Sequence, residues 1–175
     1  MKRGACLMIS IGVAAGLVGA IAGVSRAGDD AAVSIGRGEL PAGYRDWRLV
    51  SVAREEGKID DIRAVLGNDV AIEAYRGSVH PFPDGTIIAR LAWACVPSER
   101  NNKVFGKAQS FVAGPVKNGV QFMVKDSKKF AATGGWGYFQ FDEGKALTDA
   151  VMIQGCFNCH QQIADRDFVF TEYAR

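Results

Sequence analysis

The fold class of this 175-residue chain is decided at residues 86–93, which read T-I-I-A-R-L-A-W. This run is rich in β-branched and aromatic side chains and follows the turn sequence P-F-P-D-G at residues 81–85, so it predicts a β-strand. Side chains alternate between the two faces of a strand. Ile87 and Leu91 therefore share one face, while Ile88 and Arg90 share the other.

Working outward from this strand, the sequence predicts several short elements of both kinds. Strands are predicted at residues 70–75, 105–112, 120–124 and 136–141, with a turn at Gly114-Pro115. Short helices are predicted at residues 60–66, 126–132 and 146–153, and a polar connection at residues 97–103. Strands joined by short turns, with helices near the ends, predict an α+β domain with a mainly antiparallel β-sheet and flanking helices. The pattern argues against an all-helical protein.

The N-terminus has the pattern of a secretory signal peptide. Lys2 and Arg3 precede an almost wholly apolar stretch at residues 7–24, and S-R-A at residues 25–27 offers small residues to a signal peptidase. We expect export to the periplasm with cleavage after Ala27. The alternative is an uncleaved membrane anchor, for which the apolar stretch is borderline in length, since a spanning helix needs about 20 residues.

The length of the mature chain, 148 residues after cleavage, is that of one domain. Residues 28–43 are predicted to be a loose lead-in, and residues 44–175 the domain itself. The precursor has a net charge of +2, but the signal carries three basic residues and no acidic one. The mature chain therefore has 18 basic and 19 acidic residues, a net charge of −1. This near-neutral balance gives no case for nucleic-acid binding.

Near the C-terminus, residues 155–160 read G-C-F-N-C-H, a C-x-x-C-H run typical of c-type haem attachment. Two thiols at this spacing add to the two vinyl groups on one edge of a porphyrin, and the adjacent histidine binds the iron. We therefore predict one covalent haem c, held by Cys156 and Cys159, with His160 as the proximal ligand of the iron. Export and this motif support each other, because bacterial c-type haem is attached outside the cytoplasmic membrane.

Other roles for the same residues remain open from the sequence. A Cys-x-x-Cys pair can bind zinc or form a disulfide, but a zinc site needs four ligands and only Cys6, Cys95 and His80 remain. A sixth iron ligand would make the protein an electron carrier. The candidates for that ligand are His80, Met123 and Met152.

Alternation along the predicted strands also sorts the residues that could face a haem. The faces carrying Arg90, Gln121 and Tyr138 could build a pocket. The alternative is that these polar residues mark the solvated side of a sheet, because such alternation is ordinary in antiparallel sheets.

The chain resembles the cytochrome P-460 family, which includes the cytochromes c′-beta. The carrying pieces are Y-R-D-W at 44–47, F-P-D-G-T at 82–86, V-K-D-S-K-K-F at 124–130, the C-x-x-C-H run, and D-F-V-F-T at 167–171. The resemblance implies a mainly antiparallel sheet with flanking helices, one haem near the C-terminus and a homodimer. It also implies a five-coordinate iron with His160 as proximal ligand.

The resemblance assigns roles to three further residues. Arg90 stands where hydroxylamine-oxidising members carry a lysine that is cross-linked to the haem, and a permanently protonated guanidinium is a poor substitute. Gln121 stands where they carry an acidic group for proton transfer, and an amide cannot act as a general base. Phe82 matches the phenylalanine that caps the open face of the iron.

Three functions follow as hypotheses. The favoured one is an exported cytochrome with a five-coordinate haem under an apolar cap, which binds nitric oxide or a similar small nitrogen-oxide ligand, with Arg90 and Gln121 in the distal pocket. The alternatives are an oxidoreductase acting on hydroxylamine and an ordinary electron-transfer cytochrome with a soluble redox partner.

Overall fold

The protein is built on one antiparallel sheet. The structure, a computed structural model, describes the backbone of residues 21–175 and the side chains of residues 28–175. The strands follow one another across the sheet in chain order: β1 (Arg48–Glu55), β2 (Asp61–Gly67), β3 (Ile87–Pro97), β4 (Phe111–Lys125), β5 (Trp136–Asp142) and β6 (Lys145–Leu147). The helices are α1 (Ile21–Gly36), α2 (Asp69–Gly77), α3 (Glu99–Phe105) and α4 (Ala150–His160). The predicted α+β class with an antiparallel sheet is confirmed.

The two faces of the sheet are covered by different layers. On one face, Ile35 of α1 packs with Ile87, Leu91 and Phe122. On the other face, α2 and the C-terminal segment pack against Ile88 and Tyr138, among others. The face alternation predicted for residues 86–93 therefore matches the two cores.

Two neighbouring segments have the opposite structure from the one predicted. Residues 61–67 form β2, not a helix, and residues 69–77 form α2, not a strand. The reversal occurs at Asn68, whose side chain accepts hydrogen bonds from the N–H groups of Ala71 and Ile87 at 3.0 Å. Asn68 caps α2 and joins it to β3, a role that asparagine performs well at a helix N-terminus.

Other boundaries also differ from the predictions. The lead-in is helical to Gly36 because Ile35 is drawn into the core. Residues 97–103 contribute most of α3, and β4 runs continuously through Gly114-Pro115. Residues 126–132 are a turn leading into the 3-10 helix Ala131–Thr133, and the predicted helix at 146–153 splits between β6 and α4. The strand predicted at residues 136–141 is confirmed as β5.

The N-terminal prediction falls mostly outside the residues that the structure describes. The signal peptide was placed at residues 1–27, and only the backbone of residues 21–27 is described, as the first part of α1. None of the helices within residues 21–175 combines the length and apolar character needed to cross a membrane.

Candidate functional site

A cavity of about 490 Å³ lies between one face of the sheet and the C-terminal segment. This volume falls within the ~300–1,000 Å³ range of small-molecule and cofactor sites. Strands β2 to β5 supply one wall, and the end of α4 with the following segment supplies the other. The lining includes Val65, Ile88, Arg90, Gln121, Met123 and Tyr138 from the sheet, and Cys156, Cys159, His160, Val169 and Phe170 from the C-terminal side.

Helix α4 presents the C-x-x-C-H run to this cavity. Its first turn is capped by Asp149, whose side chain accepts a hydrogen bond from the N–H of Val151 at 2.8 Å. Residues three and four apart are neighbours on a helix surface, so Cys156, Cys159 and His160 lie together in the last turn. Both thiols are free. Burial raises the pKa of Cys156, which favours the neutral thiol.

The imidazole of His160 is oriented by the backbone. Its Nδ1 lies 2.7 Å from the carbonyl oxygen of Phe168, and that oxygen can only accept, so Nδ1 carries the proton. Burial lowers the pKa of His160, although the bond to Phe168 opposes the shift, and the neutral form is favoured. The neutral ring then keeps a lone pair on Nε2. The rings of Tyr138 and Phe170 flank the imidazole, each with its centroid 5.1 Å away.

A polar row crosses the sheet wall of the cavity. Arg90, Gln121 and Gln140 are cross-strand partners on β3, β4 and β5. Arg90 donates to the Gln121 side-chain oxygen at 2.7 Å, and the Gln121 amide nitrogen donates to Gln140 at 2.9 Å. Because arginine can only donate, the Gln121 oxygen must face Arg90. Gln121 therefore has its acceptor engaged within the wall.

A buried carboxylate balances the charge of this wall. Asp61, which is fully buried, accepts hydrogen bonds from Arg90 and from Arg63, the latter at 2.8 Å. Burial, together with repulsion from Arg63, lowers the pKa of Arg90, and Asp61 opposes the shift. The pKa of a guanidinium lies far above neutral pH, so Arg90 keeps its charge there despite this lowering. That charge is already paired inside the protein.

The family of the chain follows from a comparison with family models. Residues 41–171, about three quarters of the chain, match the model of the cytochrome P460 family. The chain belongs to the cytochrome P460 family. The match includes β1 to β6, the cavity wall and the C-x-x-C-H run of α4. A comparison with curated protein sequences gives no significant match.

Membership of the cytochrome P460 family implies a haem cofactor, and the donor set of the cavity fits one. The cavity wall brings together two free thiols at the attachment spacing and a neutral imidazole with an available Nε2. The hydroxyl of Tyr138 is buried and has no hydrogen-bond partner among the described residues. Buried polar groups are nearly always paired, so an orphan hydroxyl on the wall of a cavity indicates a ligand that is to be bound there.

A zinc site is a poorer fit to the same residues. Within the part of the chain that the structure describes, no three side chains of His, Cys, Asp or Glu cluster as metal ligands. Structural zinc takes four such ligands. The thiols of Cys156 and Cys159 are therefore better suited to covalent attachment than to a closed zinc site.

Not all residues predicted from the sequence come together at the cavity. Arg90, Gln121, Cys156, Cys159 and His160 line it, so the strand face that carries Arg90 and Gln121 borders the cavity.

Phe82 does not line the cavity, so the structure gives no support to the cap position that the resemblance implies. Its ring is fully buried in the core, where it packs edge-on against Tyr75 and Trp136 with centroids 4.9 and 5.9 Å away. The turn before β3 directs the ring into the core between α2 and β5. Phe82 is therefore a structural residue.

The candidate sixth ligands are also separated by the structure. His80 is exposed and stacks edge-on against Phe82, in a groove beside the C-terminus. The sulfur of Met152 lies 3.8 Å from the sulfur of Cys156, on the same helix. Met123 is the candidate that lines the cavity.

Several cavity residues were missed by the sequence reasoning. Glu55, Ile59 and Arg63 come from the β1–β2 hairpin and line the cavity. No motif marks them, because their position depends on how this hairpin lies over the sheet. The sequence signal for Asp61 and Arg63 is the charged start of β2, but the prediction of a helix at residues 60–66 hides their places on a strand.

Proposed function

We propose that this chain is an exported c-type cytochrome that binds nitric oxide, or a similar small neutral ligand, at a single haem. Cys156 and Cys159 would hold the haem covalently, and His160 would be the protein ligand of its iron. The iron of such a haem supplies an open coordination position for a diatomic ligand. The family implies a haem; the proposal adds that the haem is attached covalently and that its ligand is a small neutral molecule.

The observation that carries the choice of ligand is the bonding of Arg90 and Gln121 to each other. Arg90 is committed to Asp61 and Gln121, so its charge is balanced within the wall. Gln121 offers no base to remove a proton from a substrate. A neutral diatomic ligand needs neither a compensating charge nor a proton acceptor.

The sheet wall also separates the polar row from the histidine. Tyr138, which contacts His160, pairs with Met123 on β4, and Met123 in turn pairs with Ile88 on β3. The Arg90–Gln121–Gln140 row lies two residues further along, a spacing of about 7 Å. Binding of a ligand near Arg90 and Gln121 is therefore compatible with the place of His160.

The experiment is a comparison of two reactions on the purified holoprotein. Nitric oxide is titrated into the ferrous protein, and hydroxylamine is supplied separately to the ferric protein with an electron acceptor. We expect stoichiometric binding of nitric oxide and little or no turnover of hydroxylamine. Steady hydroxylamine turnover without nitric oxide binding would contradict the proposal.

One observation favours the second function, hydroxylamine oxidation. The half-exposed carboxylate of Glu55 lines the cavity, with Arg63 3.7 Å away, and could accept a proton in place of the missing acidic group on β4. If hydroxylamine is turned over, the alternative predicts that Glu55→Gln abolishes turnover. Glu56→Gln, at the adjacent residue, is the matched control because Glu56 is not part of the cavity lining.

Export rests on the same attachment chemistry, since bacterial c-type haem is joined outside the cytoplasmic membrane. Cleavage after Ala27 would leave a chain that begins at Gly28. Mass spectrometry of protein from the periplasmic fraction should therefore give the mass of residues 28–175 plus one haem. A full-length mass in the membrane fraction would support the anchor alternative.

A further inference from the structure

A buried ion pair lies behind the histidine of the cavity. The Lys125 ammonium, at the end of β4, lies 2.7 Å from a carboxylate oxygen of Asp167, and the two side chains are only 6% and 9% exposed. Lys125 also donates to the carbonyl of Gly134 at 3.2 Å and lies 4.9 Å from the centroid of the Trp136 ring. Burying two charges costs solvation energy that offsets their attraction, so such a pair adds little to the stability of the fold by itself.

The pair anchors the segment that follows α4. The second carboxylate oxygen of Asp167 accepts a hydrogen bond from the Phe82 N–H at 2.8 Å. Asp167 is thereby held by β4 on one side and by the turn before β3 on the other. These contacts join the C-terminal segment to the end of β4 and to the turn before β3.

The backbone at this anchor adopts a conformation that is rare for these residues. Asp167 has a φ of 51° and Phe168 a φ of 64°, both in the left-handed region. Two consecutive non-glycine residues there cost conformational energy and persist only where the surroundings hold them. Here the surroundings are the Lys125 ion pair and Gly134, where an added Cβ would lie 2.2 Å from the Phe168 ring.

The result of this backbone conformation is the position of one carbonyl group. The carbonyl oxygen of Phe168 points at the His160 Nδ1, 2.7 Å away. A hydrogen bond to the second nitrogen of a ligating histidine fixes its tautomer and raises its basicity. The anchor and the ligand are thus joined through a single residue, Phe168.

We propose that Lys125 and Asp167 are positioning residues for His160: their ion pair holds the Phe168 carbonyl on Nδ1 and thereby sets the orientation and donor strength of the iron ligand. This inference rests on the proposed attachment of haem and ligation by His160. It explains why a costly ion pair and a strained backbone occur together beside the site. Neither residue touches the cavity, so neither is a catalytic residue.

The test compares Asp167→Asn with Glu172→Gln in the ferrous holoprotein by resonance Raman spectroscopy. Asp167→Asn removes the charge but keeps an oxygen that can accept from the Phe82 N–H. Glu172 pairs with Arg166 at 3.1 Å in the same segment, but its side chain is 85% exposed, so Glu172→Gln is the matched control. We expect the iron–histidine stretching band to broaden and shift to lower frequency in Asp167→Asn and to stay at the wild-type position in Glu172→Gln.

Further variants keep the proposal falsifiable. If Asp167→Asn yields no folded holoprotein, Lys125→Met breaks the same ion pair and leaves the bond to Phe82 in place, and we expect the same shift. Lys125→Arg retains the cation and should restore the wild-type band. An unchanged band in a folded Asp167→Asn or Lys125→Met holoprotein would overturn the inference.

Failure of the inference can be told apart from failure of the proposed function. A wild-type protein without covalent haem, or an iron–histidine band that survives in His160→Gly, would contradict the proposed function itself. A wild-type protein with the haem and the band, but with no response to loss of the ion pair, contradicts the positioning role alone.

Discussion

At the scale of a single residue, Phe82 shows that a match to a sequence position of the family does not by itself place the side chain at the cavity. Its ring is buried between Tyr75 and Trp136, while the exposed ring of Phe170 lies against His160 on the cavity wall. The two phenylalanines therefore have separable roles, one in the core and one at the site.

We predict opposite results for truncation of these two rings. Phe82→Ala should lower the free energy of unfolding by about 3–5 kcal/mol, the usual cost of removing a buried phenylalanine, without a direct effect on ligand entry. Phe170→Ala should cost much less stability and change the rate at which nitric oxide binds. Denaturant unfolding and stopped-flow mixing measure the two effects. Faster ligand binding only in Phe82→Ala would restore Phe82 as the cap.

At this scale the sequence predicted the residues whose chemistry carries their role. Cys156, Cys159 and His160 are marked by spacing alone. Alternation left Arg90 and Gln121 open between a pocket and a solvated face, the family resemblance favoured the pocket, and both residues line the cavity. Phe82 could not be placed, because the direction of a ring at a turn is set by packing against α2 and β5.

Among the elements, the junction of β2, α2 and β3 depends on the side chain of Asn68. Its oxygen caps α2 and also accepts from Ile87, while its amide nitrogen donates to the Gly85 carbonyl at 2.8 Å. One buried side chain therefore satisfies three backbone groups: one in α2, one in β3 and one in the turn before β3.

We predict that Asn68→Ala lowers the free energy of unfolding by about 1–3 kcal/mol. The loss combines a missing helix cap with backbone groups left buried and unpaired. Asn68→Asp keeps the accepting oxygen but loses the donor to Gly85, so its loss should be smaller. Chemical denaturation of the three proteins gives the comparison. Equal stability of Asn68→Ala and wild type would contradict this role.

The elements that were wrongly predicted fail for identifiable reasons. Residues 69–77 carry the helical spacing of Ala71, Ile72, Ala74 and Tyr75, all buried, behind an asparagine cap. This pattern indicates a helix more strongly than the weak alternation at residues 70–75 indicates a strand. Pro115 suggested a turn, but it lies in a part of β4 that pairs with β3 alone, where a missing N–H is tolerated. Tertiary pairing of this kind is not visible in local sequence.

At the scale of the whole molecule, exposed apolar residues occur on the arm, which is the segment made of the end of β3, α3 and the start of β4. The exposed apolar residues of this arm are Val104, Phe105, Phe111, Val112 and Val116. Exposed apolar surface can mark an interaction site. We propose that the homodimer implied by the family resemblance forms through these residues.

We predict that replacing Phe105 and Phe111 together by Asp converts a dimer to a monomer, because charges at these positions would oppose burial of the arm. Val151→Asp, at a residue that is 80% exposed on α4, is the control and should leave the dimer intact. Sedimentation of the purified proteins measures the mass. A wild-type monomer, or a dimer that survives both Asp substitutions, would contradict this interface.

The most direct test of the central claim is the optical spectrum of the ferrous holoprotein, recorded before and after nitric oxide is added. The account predicts a covalently bound haem whose five-coordinate, high-spin spectrum, with His160 as its only protein ligand, converts fully on addition of nitric oxide. A six-coordinate, low-spin spectrum that does not respond to nitric oxide would contradict it, and would point to Met123 as a second ligand and to electron transfer as the function.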